Sequence, residues 1–394
     1  MYKLELSTKQ WSRQAFGEKD CASTWALSPG IQQASKHSLA VQVQKGLSDQ
    51  LHLLPDGTLL YDHLQEIKSF DAAVSEVGKV TLAVVTSTGS LPNELYSVIH
   101  GVTIPLSNHG KGIAAIDIAT AEPFYAAAQD GTELDGVLVL PKDSATSKPW
   151  PTVILVHGGP YQRVSCGFDL PFFNMPAWFA SSRYAVLCVN YRGGSSHGND
   201  YSTNIRGAAG TLEYSDSIDL VKAGVARGII DANRVGICGW SYGGYITYLA
   251  VTQDSEFHFQ AAIAGAGIVD WDLLTMTSLD DPEMAGCAPW DGAWSTANNV
   301  GNPIRHAQSI EAPLSMVHCE NDDSVPVSHA KALHRGCLEM GKECELVIYP
   351  REGHGMFPPF ERAHYIDFLE RTRSFWDKHL LQSCVESGRT KIRK

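Results

Sequence analysis

Residues 236–244 read GICGWSYGG, and the pattern that decides the fold is GWSYG at residues 239–243. A short strand is predicted before it, over 234–238, and a helix after it, over 245–250. In a strand–turn–helix context, a G-x-S-x-G pattern places its serine in a tight turn and exposes the hydroxyl at the end of the strand. Both glycines are needed because a side chain at either position would collide with the turn. The pattern therefore predicts that Ser241 is a nucleophile.

Candidate partners of this serine follow downstream, first an acid and then a histidine. A strand predicted over 313–318 runs into a polar turn that contains Asp322 and Asp323, and a strand over 345–350 leads to His354 between two glycines. The order serine, acid, histidine is that of the α/β-hydrolase architecture, and open α/β sheets carry their sites beyond the carboxyl ends of the strands. The sequence thus predicts a catalytic triad, although spacing alone does not choose between the two aspartates.

A second glycine-rich loop follows an apolar strand predicted over 152–156. Acyl transfer requires two N–H donors for the oxygen that becomes negative, and one of them is the backbone N–H after the nucleophile, here that of Tyr242. Gly158 and Gly159 are the candidates for the second donor, because glycine lets the backbone approach a substrate closely. The sequence therefore predicts an oxyanion hole formed by these two segments.

The substrate pocket is expected on two loops, over 269–284 and 289–300. Trp271 is a candidate substrate-binding residue there, although aromatic residues in loops cover the core at least as often. His157 is a second candidate, and we expect it to shape its loop rather than act as another base.

The remaining segments alternate between apolar runs and helical periodicity. Further strands are predicted over 184–190 and 261–265, and helices over 213–228, 328–340 and 360–380. Strands that alternate with helices favour an α/β fold with a doubly wound, mainly parallel sheet. We expect an α/β-hydrolase domain over residues 118–382.

Residues 1–110 have a different pattern, made of short strands and turns. Two strands flank the turn Pro55-Asp56-Gly57, and apolar runs over 80–86 and 94–99 form another pair. These hairpin signals predict a small antiparallel β region before the α/β domain. The polar residues 383–394 are predicted to form a disordered tail.

Composition limits the classes of partner. The net charge of -12 disfavours nucleic acids and anionic membranes, and no apolar run reaches the ~20 residues of a membrane span. Nine scattered cysteines and the lack of a signal-peptide pattern are typical of reduced thiols in the cytoplasm. Without a C-x-x-C pair or a histidine cluster, we expect neither a metal nor a cofactor.

Taken together, these motifs resemble the prolyl oligopeptidase family of serine peptidases, and within it the acylaminoacyl-peptidase and dipeptidyl-peptidase 5 branch, over roughly residues 90–382. The resemblance rests on GWSYGG at 239–244, HGGP at 157–160, DANRV at 231–235 and VDW at 269–271. It implies that the acid is the first of the two aspartates, Asp322.

The same resemblance implies a complete β-propeller before the hydrolase domain, whereas residues 1–110 suffice for one or two blades. We therefore expect a partial β-propeller, whose open edge a second copy of the chain could cover as a homo-oligomer. Cys319 stands where the family usually has glycine.

Three functions are compatible with these patterns. The first is a serine peptidase that hydrolyses short or N-acylated peptides through an acyl-enzyme. The second is an esterase, thioesterase or acyltransferase of a small-molecule pathway, with an ester as substrate. The third is a catalytically silent binding protein, which the complete triad disfavours.

Overall fold

The computed structural model describes residues 2–5, 10–13, 20–21, 30–64, 66–87, 91–114, 119, 121–141, 148–168, 176–181, 183–253, 257–278, 286, 288–291, 301–355 and 361–381. The chain divides into two compact units. The N-terminal unit comprises residues 1–118, 165–169 and 194–203, and the main unit comprises residues 119–164, 170–193 and 204–394. The predicted tail, 383–394, lies outside the described residues.

Eleven strands are described in the N-terminal unit, and all of their pairings are antiparallel. They are β1 Tyr2–Glu5, β2 Gln10–Arg13, β3 Asp20–Cys21, β4 Ile31–Gln33, β5 Leu39–Lys45, β6 Ser48–Leu54, β7 Thr58–His63, β8 Ile67–Val74, β9 Val80–Thr86, β10 Glu94–Ile99 and β11 Val102–Pro105. The strands β8 to β11 form a simple four-stranded meander, and β5, β6 and β7 pair in sequence with β3 and β4 beside β5.

Both predicted hairpins of this unit are confirmed. The strands β6 and β7 pair across the turn at 55–57, where Gly57 has a φ of 76°, a conformation that favours glycine. The strands β9 and β10 pair from Thr86 opposite Glu94 to Thr81 opposite Ile99. A four-stranded meander is also the unit of a β-propeller, but the partial propeller stays a prediction.

Eight strands of the main unit form one sheet. They are β12 Ala121–Ala127, β13 Glu133–Val139, β14 Trp150–Val156, β15 Ala185–Asn190, β16 Ile230–Trp240, β17 Ala261–Gly265, β18 Leu314–Cys319 and β19 Cys344–Tyr349. Their order is β12-β13-β15-β14-β16-β17-β18-β19. The pairings from β15 to β19 are parallel, while β12 and β13 are antiparallel at one edge. The predicted α/β fold with a mainly parallel sheet is confirmed.

The described helices lie mostly between these strands. They are α1 Lys111–Ala114, α2 Pro176–Ser181, α3 Asn199–Thr203, α4 Leu212–Ala226, α5 Tyr242–Thr252, α6 Trp271–Thr277, α7 Ser328–Glu339 and α8 Arg362–Trp376, with 3₁₀ helices over Pro289–Asp291 and Pro303–Ser309 and a π-helix over Asp377–Leu381. In the part of the chain that the structure describes, no helix has the length and apolarity needed to cross a membrane.

The strand order explains where a site can form. From β14 the chain moves to β15 on one side, whereas from β16 it moves to β17 on the other, so the winding reverses between β14 and β16. The loops that follow two such neighbouring strands diverge and leave a crevice at the carboxyl edge of the sheet. The loop 157–160 follows β14 and Ser241 follows β16, so both candidate segments lie at this crevice.

Some predicted boundaries were wrong. The strand predicted over 234–238 extends over Ile230–Trp240, because an irregular register between β14 and β16 lets residues 231–234 stay in the strand. The helix predicted over 360–380 is α-helical only over Arg362–Trp376 and ends as a π-helix. These differences do not move a candidate site residue.

Candidate active site

Ser241 sits in a strained turn between β16 and α5. Its φ of 58° and ψ of -120° are rare for a residue with a side chain. The turn is held on both sides, because the Ser241 N–H donates to the Gly265 carbonyl and the Tyr245 N–H donates to the Ser241 carbonyl, each at 2.9 Å. Local strain of this kind is common at functional sites.

The glycines on both sides of the turn have a steric cause. A Cβ atom on Gly239 would overlap the backbone of Gly243, and one on Gly243 would overlap the carbonyl oxygen of Val156 in β14. The turn therefore packs directly against the neighbouring strand, and only glycine permits this approach.

His354 and Asp322 complete a hydrogen-bonded row with Ser241. The Ser241 Oγ lies 2.8 Å from His354 Nε2, and His354 Nδ1 lies 2.9 Å and 2.8 Å from the two carboxylate oxygens of Asp322. Since a carboxylate can only accept, Nδ1 carries the proton and Nε2 is left to accept one from the serine. The three side chains come from positions up to 113 residues apart, and the structure brings them together.

Asp322 is buried and well supplied with donors. Its Oδ1 accepts from the backbone N–H groups of Ser324 at 3.1 Å and Val325 at 2.8 Å, and its Oδ2 lies 3.4 Å from His318 Nε2. Burial raises the pKa of Asp322, but the hydrogen bonds from His318 and His354 outweigh burial and lower the pKa to about 2. The carboxylate is therefore charged at neutral pH. By contrast, Asp323 is exposed.

His318 is a site residue that sequence reasoning missed. It lies in β18, fully buried, and its Nε2 donates to the Val325 carbonyl at 2.7 Å. It thereby fixes the turn that carries Asp322. A histidine four residues before the acid at the end of an apolar strand was a signal that could have identified it.

Two further contacts brace the loop of His354. The Asn321 N–H donates to the Glu352 carbonyl at 2.9 Å, which joins the acid loop to the histidine loop. The Trp240 Nε1 donates to the His354 carbonyl at 2.6 Å. Trp240 was not predicted as a site residue, because the variable position of a G-x-S-x-G motif carries no signal of its own.

The loop after β14 lies against the serine turn. A Cβ atom on Gly158 would come within 3.0 Å of the Trp240 carbonyl oxygen and 3.5 Å of Ser241 Cβ. Gly158 is half-buried and Gly159 exposed. The structure thus places the two candidate donor glycines beside the nucleophile segment.

His157 is buried under this loop rather than facing solvent. Its Nδ1 donates to the Gly158 carbonyl at 2.7 Å, and its ring stacks on Tyr191 with centroids 4.3 Å apart. Burial lowers the pKa of His157 to about 4, which keeps the ring neutral at pH 7. Its Nε2 contacts no polar partner among the described residues.

Tyr242 and Trp271 are both core residues. Trp271 is 3% exposed and packs against Tyr242 and Tyr245, with centroids 6.1 Å and 5.2 Å away. The Tyr242 hydroxyl donates to Glu213 Oε1 at 2.8 Å. The structure therefore places the Trp271 side chain in the core, against Tyr242 and Tyr245 of the helix that follows Ser241. Of the two expected pocket loops, residues 279–284 and 292–300 lie outside the described residues.

Glu213 is a buried acid that sequence reasoning did not single out. It lies in the first turn of α4, fully buried, and also accepts from the Gly210 N–H at 2.5 Å and the Thr211 N–H at 3.2 Å. Burial raises the pKa of Glu213 to about 7, although these hydrogen bonds oppose the rise.

Within the described ranges, no group of three His, Cys, Asp or Glu side chains could hold a metal ion.

The sheet is mainly parallel, its strand order reverses between β14 and β16, and its carboxyl edge carries the serine turn and the loops of Asp322 and His354. This combination defines the α/β-hydrolase class. The sequence profile of the prolyl oligopeptidase family matches residues 171–383, and the chain belongs to that family.

Three relatives illustrate the match. The chain is 28% identical over 313 residues to the uncharacterized peptidase YuxL of Bacillus subtilis, which is 73% of this chain and 44% of that protein. It is 30% identical over 252 residues to human dipeptidyl peptidase 8, which is 63% of this chain and 28% of that protein. The solved acylaminoacyl peptidase of Pyrococcus horikoshii superposes with a TM-score of 0.77 at 24% identity, over 89% of this chain and 56% of that one. The chain thus spans less than half the length of the first two relatives.

Proposed function

We propose that this chain is a serine hydrolase that cleaves short or N-acylated peptides through an acyl-enzyme. The observation that carries the proposal is the row from Ser241 Oγ to His354 Nε2 and on to Asp322, with both joining distances below 3 Å. Family membership and the similarity to proteins named as peptidases support peptides as the substrate class.

In the first half of the reaction, Ser241 Oγ attacks the carbonyl carbon of the scissile bond while His354 Nε2 takes the hydroxyl proton. The imidazolium that forms keeps its Nδ1 proton on Asp322, whose negative charge stabilises it. The carbonyl oxygen becomes an anion and accepts from the Tyr242 N–H and from a glycine N–H of the 157–160 loop. His354 then returns the proton to the leaving amine, and the acyl group stays on Ser241.

In the second half, water replaces the amine. His354 Nε2 takes a proton from the water as the water oxygen attacks the acyl-enzyme carbonyl, and the proton passes to Ser241 Oγ when the ester breaks. The products are a carboxylic acid and the free enzyme. Each proton moves through one nitrogen, because Asp322 holds the other.

The experiment is labelling with a fluorophosphonate probe, followed by turnover assays. Wild-type chain is expected to take up one equivalent of probe, and Ser241→Ala to take up none while keeping the wild-type melting curve. Acylated peptides, free-amine peptides and p-nitrophenyl esters are then compared with both proteins. Loss of the serine is expected to reduce kcat by about 10⁴-fold or more.

Two results would contradict the proposal in different ways. If the folded wild-type chain does not react with the probe at Ser241, the proposed hydrolase activity is wrong, and a binding role replaces it. If the probe labels Ser241 but only esters turn over, the triad stands and the substrate class changes to that of an esterase, thioesterase or acyltransferase.

A further inference from the structure

Tyr191 is a buried residue outside the triad that contacts the loop of the candidate oxyanion donors. It follows β15 directly and is fully buried. Its hydroxyl donates to the His157 carbonyl at 2.8 Å, and its ring stacks on the His157 ring with an interplanar angle of 13°. Tyr191 therefore holds both the backbone and the side chain of the residue before Gly158.

These contacts fix the direction of two peptide planes. In a trans peptide the C=O and the following N–H point in opposite directions. The His157 carbonyl is held by Tyr191, so the Gly158 N–H points away from Tyr191. The Gly158 carbonyl is held by His157 Nδ1, so the Gly159 N–H points away from the buried His157 ring. Both candidate N–H groups therefore point away from the buried side chains of Tyr191 and His157, and the Gly158 backbone lies close to Ser241.

Tyr191 also contacts Tyr242, the residue after Ser241. The rings of Tyr191 and Tyr242 are stacked, with centroids 6.3 Å apart and an interplanar angle of 20°. Tyr242 is anchored at its far end, since its hydroxyl donates to the buried carboxyl of Glu213. His157, Tyr191 and Tyr242 therefore form one buried stack that joins the two backbone segments of the oxyanion hole.

We infer that Tyr191 is a positioning residue that sets the glycine loop against the serine turn, so that the N–H donors of both segments point at one substrate oxygen. This inference rests on the proposed function, since it assigns a role within the same acyl-transfer site. Tyr191 acts through His157 on the glycine loop and through ring packing on Tyr242.

The test is Tyr191→Phe, which keeps the ring stack and removes the hydroxyl that donates to the His157 carbonyl. We expect kcat to fall roughly tenfold, because one buried positioning hydrogen bond is lost and the donors themselves remain. KM is expected to stay near the wild-type value. A peptide aldehyde forms a tetrahedral adduct on Ser241 whose oxygen occupies the oxyanion hole, so its affinity should weaken by the same factor. The amine product, which has no oxygen to place in the oxyanion hole, should bind as before.

The matched control is Tyr248→Phe. Tyr248 is equally buried on α5, and its hydroxyl has no hydrogen-bond partner among the described residues. It should keep the wild-type kcat and aldehyde affinity. Rates are divided by the fraction of sites that a fluorophosphonate titrates, which removes any contribution from unfolded protein. If Tyr191→Phe cannot be recovered folded, His157→Ala takes its place, because it removes the ring of the stack and the Nδ1 donor and should show the same selective loss.

The inference is overturned if Tyr191→Phe retains the wild-type kcat and aldehyde affinity, or if it loses aldehyde and product affinity equally. Retention of wild-type kcat in His157→Ala would overturn it as well. In all these cases a labelled and active wild type would leave the proposed function intact. A wild type that takes neither probe nor aldehyde would end both proposals.

Discussion

The indole Nε1 of Trp240 donates a hydrogen bond of 2.6 Å to the backbone carbonyl oxygen of His354. The two residues are 114 positions apart, yet each is adjacent to the catalytic chemistry, since Trp240 precedes Ser241 and His354 is the proposed base. The same side chain lies over Gly265, where a Cβ atom would overlap the indole ring. The segment of Ser241 therefore holds the segment of His354 directly.

We expect Trp240→Phe to lower kcat by about tenfold, because a smaller aromatic ring replaces the indole, the bond to the His354 carbonyl is lost and the imidazole is held less firmly. KM should change little. The control is Trp376→Phe, because Trp376 is also fully buried and packs on β16, but its Nε1 has no partner among the described residues. Trp376→Phe should lower the melting temperature and keep kcat. Equal kcat values for the two variants would remove any role of the indole in holding His354.

The two adjacent aspartates give a sharp comparison. Asp322→Asn should reduce kcat by about 10⁴-fold, because an amide can donate to His354 Nδ1 and so stabilise the wrong tautomer. Asp323→Asn should retain activity, since Asp323 is exposed and the carboxylate that contacts His354 is that of Asp322. Steady-state rates on one substrate decide the matter. A large loss of activity in the Asp323 variant would show that the acid had been assigned to the wrong aspartate.

The close contact between Gly243 and β14 predicts that alanine has opposite effects on stability at Gly243 and at Gly336. Gly243→Ala should destabilise the fold by roughly 2–4 kcal/mol and abolish probe labelling, because the added Cβ meets the Val156 carbonyl oxygen in β14. Gly336→Ala, in the middle of α7, should raise stability by about 0.5–1 kcal/mol, since its Cβ would only touch the end of Met340 at 3.7 Å. Urea unfolding of both variants checks this, and a labelled, stable Gly243→Ala would contradict the described packing of the elbow.

The buried carboxyl group of Glu213 should make the stability of the fold depend on pH. Its pKa is raised to about 7 in the folded chain, because burial disfavours the charged form. Between its ordinary value near 4.3 and about 7, the folded state holds a proton that the unfolded state has lost, so the free energy of unfolding falls as pH rises through this window. Glu213→Gln removes the titration. Between pH 5 and 8 the wild type should therefore lose about 3 kcal/mol relative to this variant.

Urea unfolding at several pH values measures that difference. Glu339→Gln is the control, because Glu339 is exposed and its replacement should leave the wild-type slope unchanged. Parallel curves for wild type and Glu213→Gln would show that the carboxyl under Tyr242 is not protonated in the folded chain at pH 5–7.

Much of the fold could be predicted from local patterns. The apolar strands over 152–156, 184–190 and 261–265 and the turn at 55–57 were recognisable because period, length and turn residues are local properties of the chain. The irregular register between β14 and β16 was not, since it depends on how two distant strands align. The π-helical end at Asp377–Leu381 was not predicted either, because no residue type marks it.

The candidate site shows the same division. Ser241, His354 and the pair of aspartates follow from motif and order, because strand ends and glycine turns are visible in the chain. The choice of Asp322 came from family resemblance, and in the structure it depends on which carboxylate the His354 loop meets. Trp240, Tyr191 and Glu213 gave no sequence signal strong enough to assign a role, since each acts through a contact with a distant segment. His318 differs, because it lies four residues before Asp322 and that spacing was a signal.

The sequence by itself determined the type of fold, the order of the candidate nucleophile, acid and base, and the glycines that the turn requires, because these depend on neighbours along the chain. Only the tertiary structure decided which side chains hold the site in shape. Most of those contacts join residues that lie tens to more than a hundred positions apart, and the parallel pairing of β14 to β19 brings the ends of these strands to one edge.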